Sequence, residues 1–123
     1  MTKKALLVTE DVELRKYIEI SALTLTKLNC QTEIIHTLDF DKAIKESQED
    51  NLDLILIDLE MKNIQPLELT KKISENKKSE NKKVIGFSDD VSSLNRGEIF
   101  GSGIRSIMSK EELKNVINNL LQY

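Results

Sequence analysis

The run Leu52-Asp53-Leu54-Ile55-Leu56-Ile57-Asp58 limits the fold more than any other stretch of the chain. Leu54 to Ile57 are consecutive large apolar residues, two of them β-branched, set between two aspartates. A short apolar run without alternation marks a strand covered on both faces, as in a parallel sheet. A buried helical turn could look the same. The β-branched pair and the polar break after Ile57 favour a strand. Asp58 then lies at its carboxyl end, the edge where open α/β sheets place their ligand crevice.

The remaining elements fall into place around that strand. Lys4 to Thr9 contains a second apolar run and ends at Glu10-Asp11, which reads as a first strand. Asp11 is placed to cap the next helix. Leu14, Ile18, Leu25 and Leu28 keep helical spacing there, with Asn29 as the stop. Thr32 to Thr37 is rich in β-branched residues and predicts the second strand. Asp39 caps a helix from Phe40 to Gln48. After Asp58 comes an irregular loop, Leu59 to Gln65. Pro66 suits the first helical turn, where its missing N–H costs nothing. Leu67, Leu69 and Ile73 give that helix an apolar face.

Residues 74–83 are a direct duplication, Ser-Glu-Asn-Lys-Lys twice, read as a solvated, lengthened loop or helix end. The interspersed glutamates weaken its alternative as a basic docking patch. Val84 to Phe87 predicts the fourth strand, ending at Ser88, with a turn at Asp89-Asp90. Val91 to Phe100 is weakly periodic and predicts a short helix; Gly101-Ser102-Gly103 predicts a turn. Ile104 to Met108 predicts the fifth strand. Ser109 and Glu112 match a capping box for the last helix, lined by Leu113, Val116, Ile117, Leu120 and Leu121.

Strands alternating with helices imply parallel β-α-β units with helices on both faces. Right-handed crossovers then give a doubly wound α/β sheet of five parallel strands in the flavodoxin-like order 2-1-3-4-5. Its crevice opens between the ends of the first and third strands, beside Glu10-Asp11 and Asp58.

A chain of 123 residues suits a single domain, 1–123, with no separate output domain. With 39% apolar and 32% charged residues it reads as globular, and a net charge of -3 makes no case for nucleic acid. No apolar run approaches the roughly 20 residues that cross a bilayer. The amino terminus, with four apolar residues after Lys4, is too short for a signal peptide. A cytoplasmic location is therefore expected. Cys30 stands alone, so it reads as a buried or inert thiol. His36 is the sole histidine and reads as a strand-end surface or packing residue.

Four strand ends deliver polar residues to one edge: Thr9-Glu10-Asp11, Asp58, Ser88 and Lys110. Two carboxylates at roughly 4 Å repel by about 4 kcal/mol at an effective dielectric near ~20. A divalent cation relieves such repulsion, and Mg²⁺ takes one or two carboxylates with water or phosphate. Lys110 adds a fixed positive charge, and Ser88 a hydroxyl able to donate to an anionic oxygen. Such a pocket suits Asp58 as a nucleophile toward phosphorus.

These residues resemble the response-regulator receiver domain family of the stand-alone, CheY-like kind. The resemblance rests on Leu6 to Glu10 with Arg15 five residues on, Asp53 to Met61, Ser88 and Lys110. It implies that Asp58 is the phosphoacceptor, Ser88 the switch hydroxyl and Lys110 the lysine that bridges to the phosphoryl group. It implies Mg²⁺ held by Glu10, Asp58 and the backbone carbonyl of Glu60, with Asp11 the alternative acid. Ile107 takes the place of an aromatic switch. Departures from the family pattern are Thr9 for the first of two acids, Lys62 for a proline, Gln65-Pro66 for Asp-Gly, and Glu111 for a proline. Implied partners are a histidine kinase or phosphotransfer protein, and an output protein on the face from the fourth strand to the fifth helix. A homodimer is a further candidate; nucleic acid and membrane are not expected. The alternative reading is a pseudo-receiver, a binding module that works without phosphorylation, motivated by Thr9, Ile107 and Glu111. An enzyme or a nucleotide or flavin binder would need a Gly-rich turn after a strand. None of the four glycines follows the first strand.

Overall fold

The computed structural model describes residues 3–26 and 32–122. The elements are β1 (Lys3–Val8), α1 (Val12–Thr26), β2 (Thr32–His36), α2 (Phe40–Ser47), β3 (Leu52–Asp58), α3 (Pro66–Glu75), β4 (Lys83–Ser88), α4 (Arg96–Gly101), β5 (Ser106–Ser109) and α5 (Lys110–Gln122). The sheet is parallel, in the order β2-β1-β3-β4-β5. The expected α/β architecture is the one found. The expectations for Leu28, Asn29 and Cys30 lie outside the described residues.

β3 is central, and alternate side chains of its apolar run enter different cores. Leu54 and Leu56 pack with Leu14 and Ile18 of α1 and with Leu113 and Ile117 of α5. Ile55 and Ile57 pack on the opposite face with Ala43 of α2, Leu69 and Ile73 of α3 and Ile99 of α4. Two covered faces leave no polar position from Leu54 to Ile57, which is why that run is continuous.

The helix ends follow the capping residues. Asp39 accepts the Lys42 amide at 2.9 Å and starts α2. Pro66 opens α3. Ser109 and Glu112 bond each other's amides at 3.0 and 3.2 Å, the reciprocal box expected for α5. α4 differs from the sequence expectation. It starts at Arg96, capped by Asn95, because Asp90 ties the Ser92 amide and hydroxyl into a turn upstream. Gly101 belongs to that helix, and β5 begins at Ser106 rather than Ile104. Ile104 is buried but outside the strand, so its burial reflects packing and not pairing.

The duplication has two different fates. Ser74 is in α3 and donates to the Ser102 carbonyl at 3.1 Å, tying the helix to the turn before β5. Ser79, its copy, is buried and donates to the Ile73 carbonyl at 2.6 Å, closing the carboxyl end of α3. Lys82 reaches the Ser47 carbonyl at 2.7 Å and also the Glu49 carbonyl. A cation there opposes the negative end of α2. The second copy therefore braces two helix ends, beyond the solvated loop expected.

Gly103 joins α4 to β5 with φ +115°, and a Cβ built there would lie 2.6 Å from the Ser74 Cβ. Gly103→Ala combines a disfavoured backbone with a clash against helix α3. It is expected to cost about 2 kcal/mol. Urea denaturation followed by circular dichroism measures this, and an unchanged midpoint contradicts it.

Candidate functional site

The loops after β1, β3 and β4 and the first turn of α5 meet at the carboxyl edge of the sheet. Asp58 ends β3 with only 3% of its surface exposed. One carboxylate oxygen accepts the Thr9 hydroxyl at 2.7 Å and the other accepts the Glu60 amide at 2.9 Å. The Thr9 oxygen itself accepts the Asp11 amide at 3.0 Å, so its own proton points to Asp58. Thr9 is buried, and its carbonyl lies 2.9 Å from His36 Nε2. A carbonyl only accepts, so Nε2 carries the proton in that contact.

Lys110 is the first residue of α5. Its Nζ lies 3.1 Å from Asp11 Oδ2, 3.7 Å from Asp89 Oδ1 and 3.9 Å from Asp58 Oδ2. Burial alone would lower the Lys110 pKa. The hydrogen bond that Lys110 donates to Asp11 and the charges of Asp58, Asp11 and Asp89 outweigh burial and raise it. The ammonium is thus fixed within a ring of carboxylates.

Ser88 ends β4, beside the strand that Asp58 ends, with Asp58 and Phe87 paired in register. Its hydroxyl is 2.8 Å from Glu60 Oε1. The Asp89 amide donates to the same oxygen. Those two donors, the amide first, hold the Glu60 carboxyl below the usual range, with the Lys110 charge adding to them. The Glu60 side chain was not marked by the sequence, which singled out only its carbonyl. Strand register could have found it: two residues past Asp58 and one or two past Phe87 lie side by side.

Glu10 and Asp11 part company. The Glu10 carboxylate accepts the Lys62 amide at 2.8 Å, the Asn63 amide at 3.1 Å and the Asn63 side chain at 2.8 Å. It clamps the loop after β3. Asp11 bonds the Leu14 amide at 3.1 Å with one oxygen and Lys110 with the other. Its pKa is lowered chiefly by the Leu14 amide, then by Lys110. Arg15 forms a surface pair with Glu19 at 3.4 Å. Ile107 packs, half-buried, against the α2–α4 core.

Mg²⁺ needs free oxygen ligands, commonly one or two carboxylates with water and phosphate. Both Asp58 oxygens hold protein donors, Asp11 is divided between its helix and Lys110, and Glu10 is taken up by Lys62 and Asn63. Among the described residues, no three of His, Cys, Asp and Glu form a group able to hold a metal. As arranged, the donor set does not fit a resident Mg²⁺.

Four carboxylates, those of Glu10, Asp11, Glu60 and Asp90, have lowered pKa values. Each binds its proton less readily folded than unfolded. The stability they contribute is present above the unfolded values of 4.5 for Glu and 3.8 for Asp, and is lost as pH falls through the lower folded values. Thermal midpoints measured from about pH 6 to about pH 3 should therefore fall below about pH 4.5. A flat profile contradicts this.

The parallel five-stranded sheet thus brings a buried aspartate and a serine, at the ends of adjoining strands, together with the lysine that opens α5. The sequence matches the response regulator receiver domain across residues 6–122, and the chain belongs to that family. The fold is similar to chemotaxis protein CheY4 of Vibrio cholerae, with TM-score 0.80 and 16% identity over 99% of this chain and 98% of that one. It is similar to a CheY-like receiver domain from Methanospirillum hungatei, with TM-score 0.74 and 15% identity over 98% and 94% of the two chains. A third likeness is the receiver domain of the Pseudomonas aeruginosa sensor histidine kinase PA1611, with TM-score 0.75, 15% identity and full coverage of both chains. That structure has a magnesium ion coordinated in its active site cleft. No curated protein matches significantly. No helix among the described residues is long and apolar enough to cross a membrane.

Proposed function

We propose that Asp58 accepts a phosphoryl group from a phosphohistidine of a histidine kinase or phosphotransfer protein, and that the chain signals by changed protein binding. One observation carries this: the Lys110 ammonium sits 3.9 Å from a carboxylate that is otherwise shut away from water. In the transfer, an Asp58 oxygen attacks phosphorus and a P–O bond forms. The P–N bond breaks, its electron pair returns to the imidazole, and the ring nitrogen takes a proton from water. Lys110 offsets the charge that gathers on the phosphoryl oxygens. The loaded group adds about -1.5 to -2 charges. Lys110 begins α5 and Ser88 ends β4, so their movement toward it biases the β4–α5 face between two states. That face is where an output protein would read the change. In this step the positive charge comes from Lys110.

The test is to incubate the chain with a small phosphodonor and read its intact mass. One base-labile phosphoryl group mapped to Asp58 supports the proposal; no gain overturns it. Runs with Mg²⁺ and with a chelator read the metal requirement, and neutralisation by Lys110 predicts residual loading with the chelator. The pseudo-receiver reading keeps one specific support, the Thr9 hydroxyl bound to Asp58 where the family pattern has the first of two acids. A chain that never loads yet still binds its partner would favour it.

A further inference from the structure

We propose that the Glu60 carboxylate is a resident anion in the phosphoryl subsite, a removable plug that loading must expel. The inference rests on Asp58 being the phosphoacceptor. Its basis is which donors Glu60 occupies. A phosphoryl group on Asp58 presents three strongly accepting oxygens. The Ser88 hydroxyl and the Asp89 amide stand at the end of the adjoining strand, and both are spent on Glu60 Oε1. The same residue's amide is bonded to Asp58, which pins its backbone to the pocket. Glu60 thus spans the gap from the phosphoacceptor to the donors on the next strand.

The plug and the incoming group carry the same sign of charge and use the same donors. They cannot share them, so loading and the Glu60–Ser88 contact exclude each other. Glu60 is exposed on its other side, so its carboxylate can swing into water and be hydrated there. A buried carboxylate in its place would be far harder to expel. Before loading, the plug keeps the Ser88 hydroxyl hydrogen-bonded and turned to β3. After loading, an acidic side chain is released at the rim of the pocket. One event therefore changes both the strand end and the surface charge beside it.

The experiment compares the wild-type chain with Glu60→Ala and Glu60→Gln. In free protein, the Asp89 amide proton resonance should move upfield in Glu60→Ala, because its bond to a carboxylate is gone. With a small phosphodonor, Glu60→Ala should load about tenfold faster, the effect of freeing donors from one charge-assisted hydrogen bond. Glu60→Gln keeps an accepting oxygen without charge and should fall between the two. In a Ser88→Ala background the gain from Glu60→Ala should shrink markedly, since one of the two donors that the plug withholds is then absent. Equal loading of wild type and Glu60→Ala overturns the plug while leaving Asp58 as phosphoacceptor. A gain equally large without the Ser88 hydroxyl also overturns it, since simple charge removal then suffices. Failure of every version to load overturns the phosphoacceptor reading, and the plug with it. An unmoved Asp89 resonance overturns the contact whatever the loading shows.

Discussion

An Asp58→Asn protein is expected to gain no phosphoryl group under conditions that load the wild-type chain. The amide has the size of the carboxylate and can still accept one hydrogen bond, from Thr9 or from Glu60. Its nitrogen carries no available lone pair to attack phosphorus, and its charge no longer faces Lys110. The substitution thus removes the nucleophile and leaves the pocket's shape. A melting curve checks that the variant is folded, and intact mass reads loading. Mass gain that persists in Asp58→Asn places the modification elsewhere and ends the proposal. Lys110→Met is the companion variant. It leaves Asp11, Asp58 and Asp89 without their shared cation. Loading should slow about a hundredfold, the usual cost of removing one group that stabilises transition-state charge.

Phe87→Ala is expected to be the most destabilising single truncation. Phe87 is fully buried on β4, packed in the core that α1 and α5 cover. Its carbonyl accepts the Leu59 amide at 2.8 Å, which fixes the chain as it leaves Asp58. Losing the ring removes apolar burial and leaves a cavity in a sheet that cannot collapse around it. The expected cost is about 4 kcal/mol. A domain of this kind has only about 5–15 kcal/mol in all. Urea denaturation should show a large drop in midpoint. Leu23 on α1 is 67% exposed and is the control, with Leu23→Ala expected within about 0.5 kcal/mol of wild type. A cost below about 1 kcal/mol for Phe87→Ala would contradict this packing.

The sheet and its order were legible because the signals are local. The Leu54–Ile57 run, the Asp39 and Ser109 caps and Pro66 each act within a few residues of where they stand. α4 was less so: whether Val91 to Leu94 joins the helix depends on Asp90 holding Ser92, a choice between two local bonding patterns. Ile104 shows a different limit, since burial alone does not distinguish a paired strand from a packed approach to one. At the site, Asp58 and Lys110 could be placed at strand ends by counting. The direction of a side chain could not. Glu10 and Asp11 are neighbours, yet one clamps Lys62 and Asn63 while the other meets Lys110. Glu60 meets Ser88 only because β3 and β4 pair with Asp58 opposite Phe87. His36 meets Thr9 because β1 and β2 are aligned, with Leu7 opposite His36.

The last of those contacts makes the protein its own indicator. The only imidazole of the chain is joined through one threonine to the floor of the acidic pocket. Its ring protons give a single, uncrowded set of nuclear magnetic resonance lines. Any event that pulls Thr9 off Asp58 should displace them, with no label and no reporter dye attached.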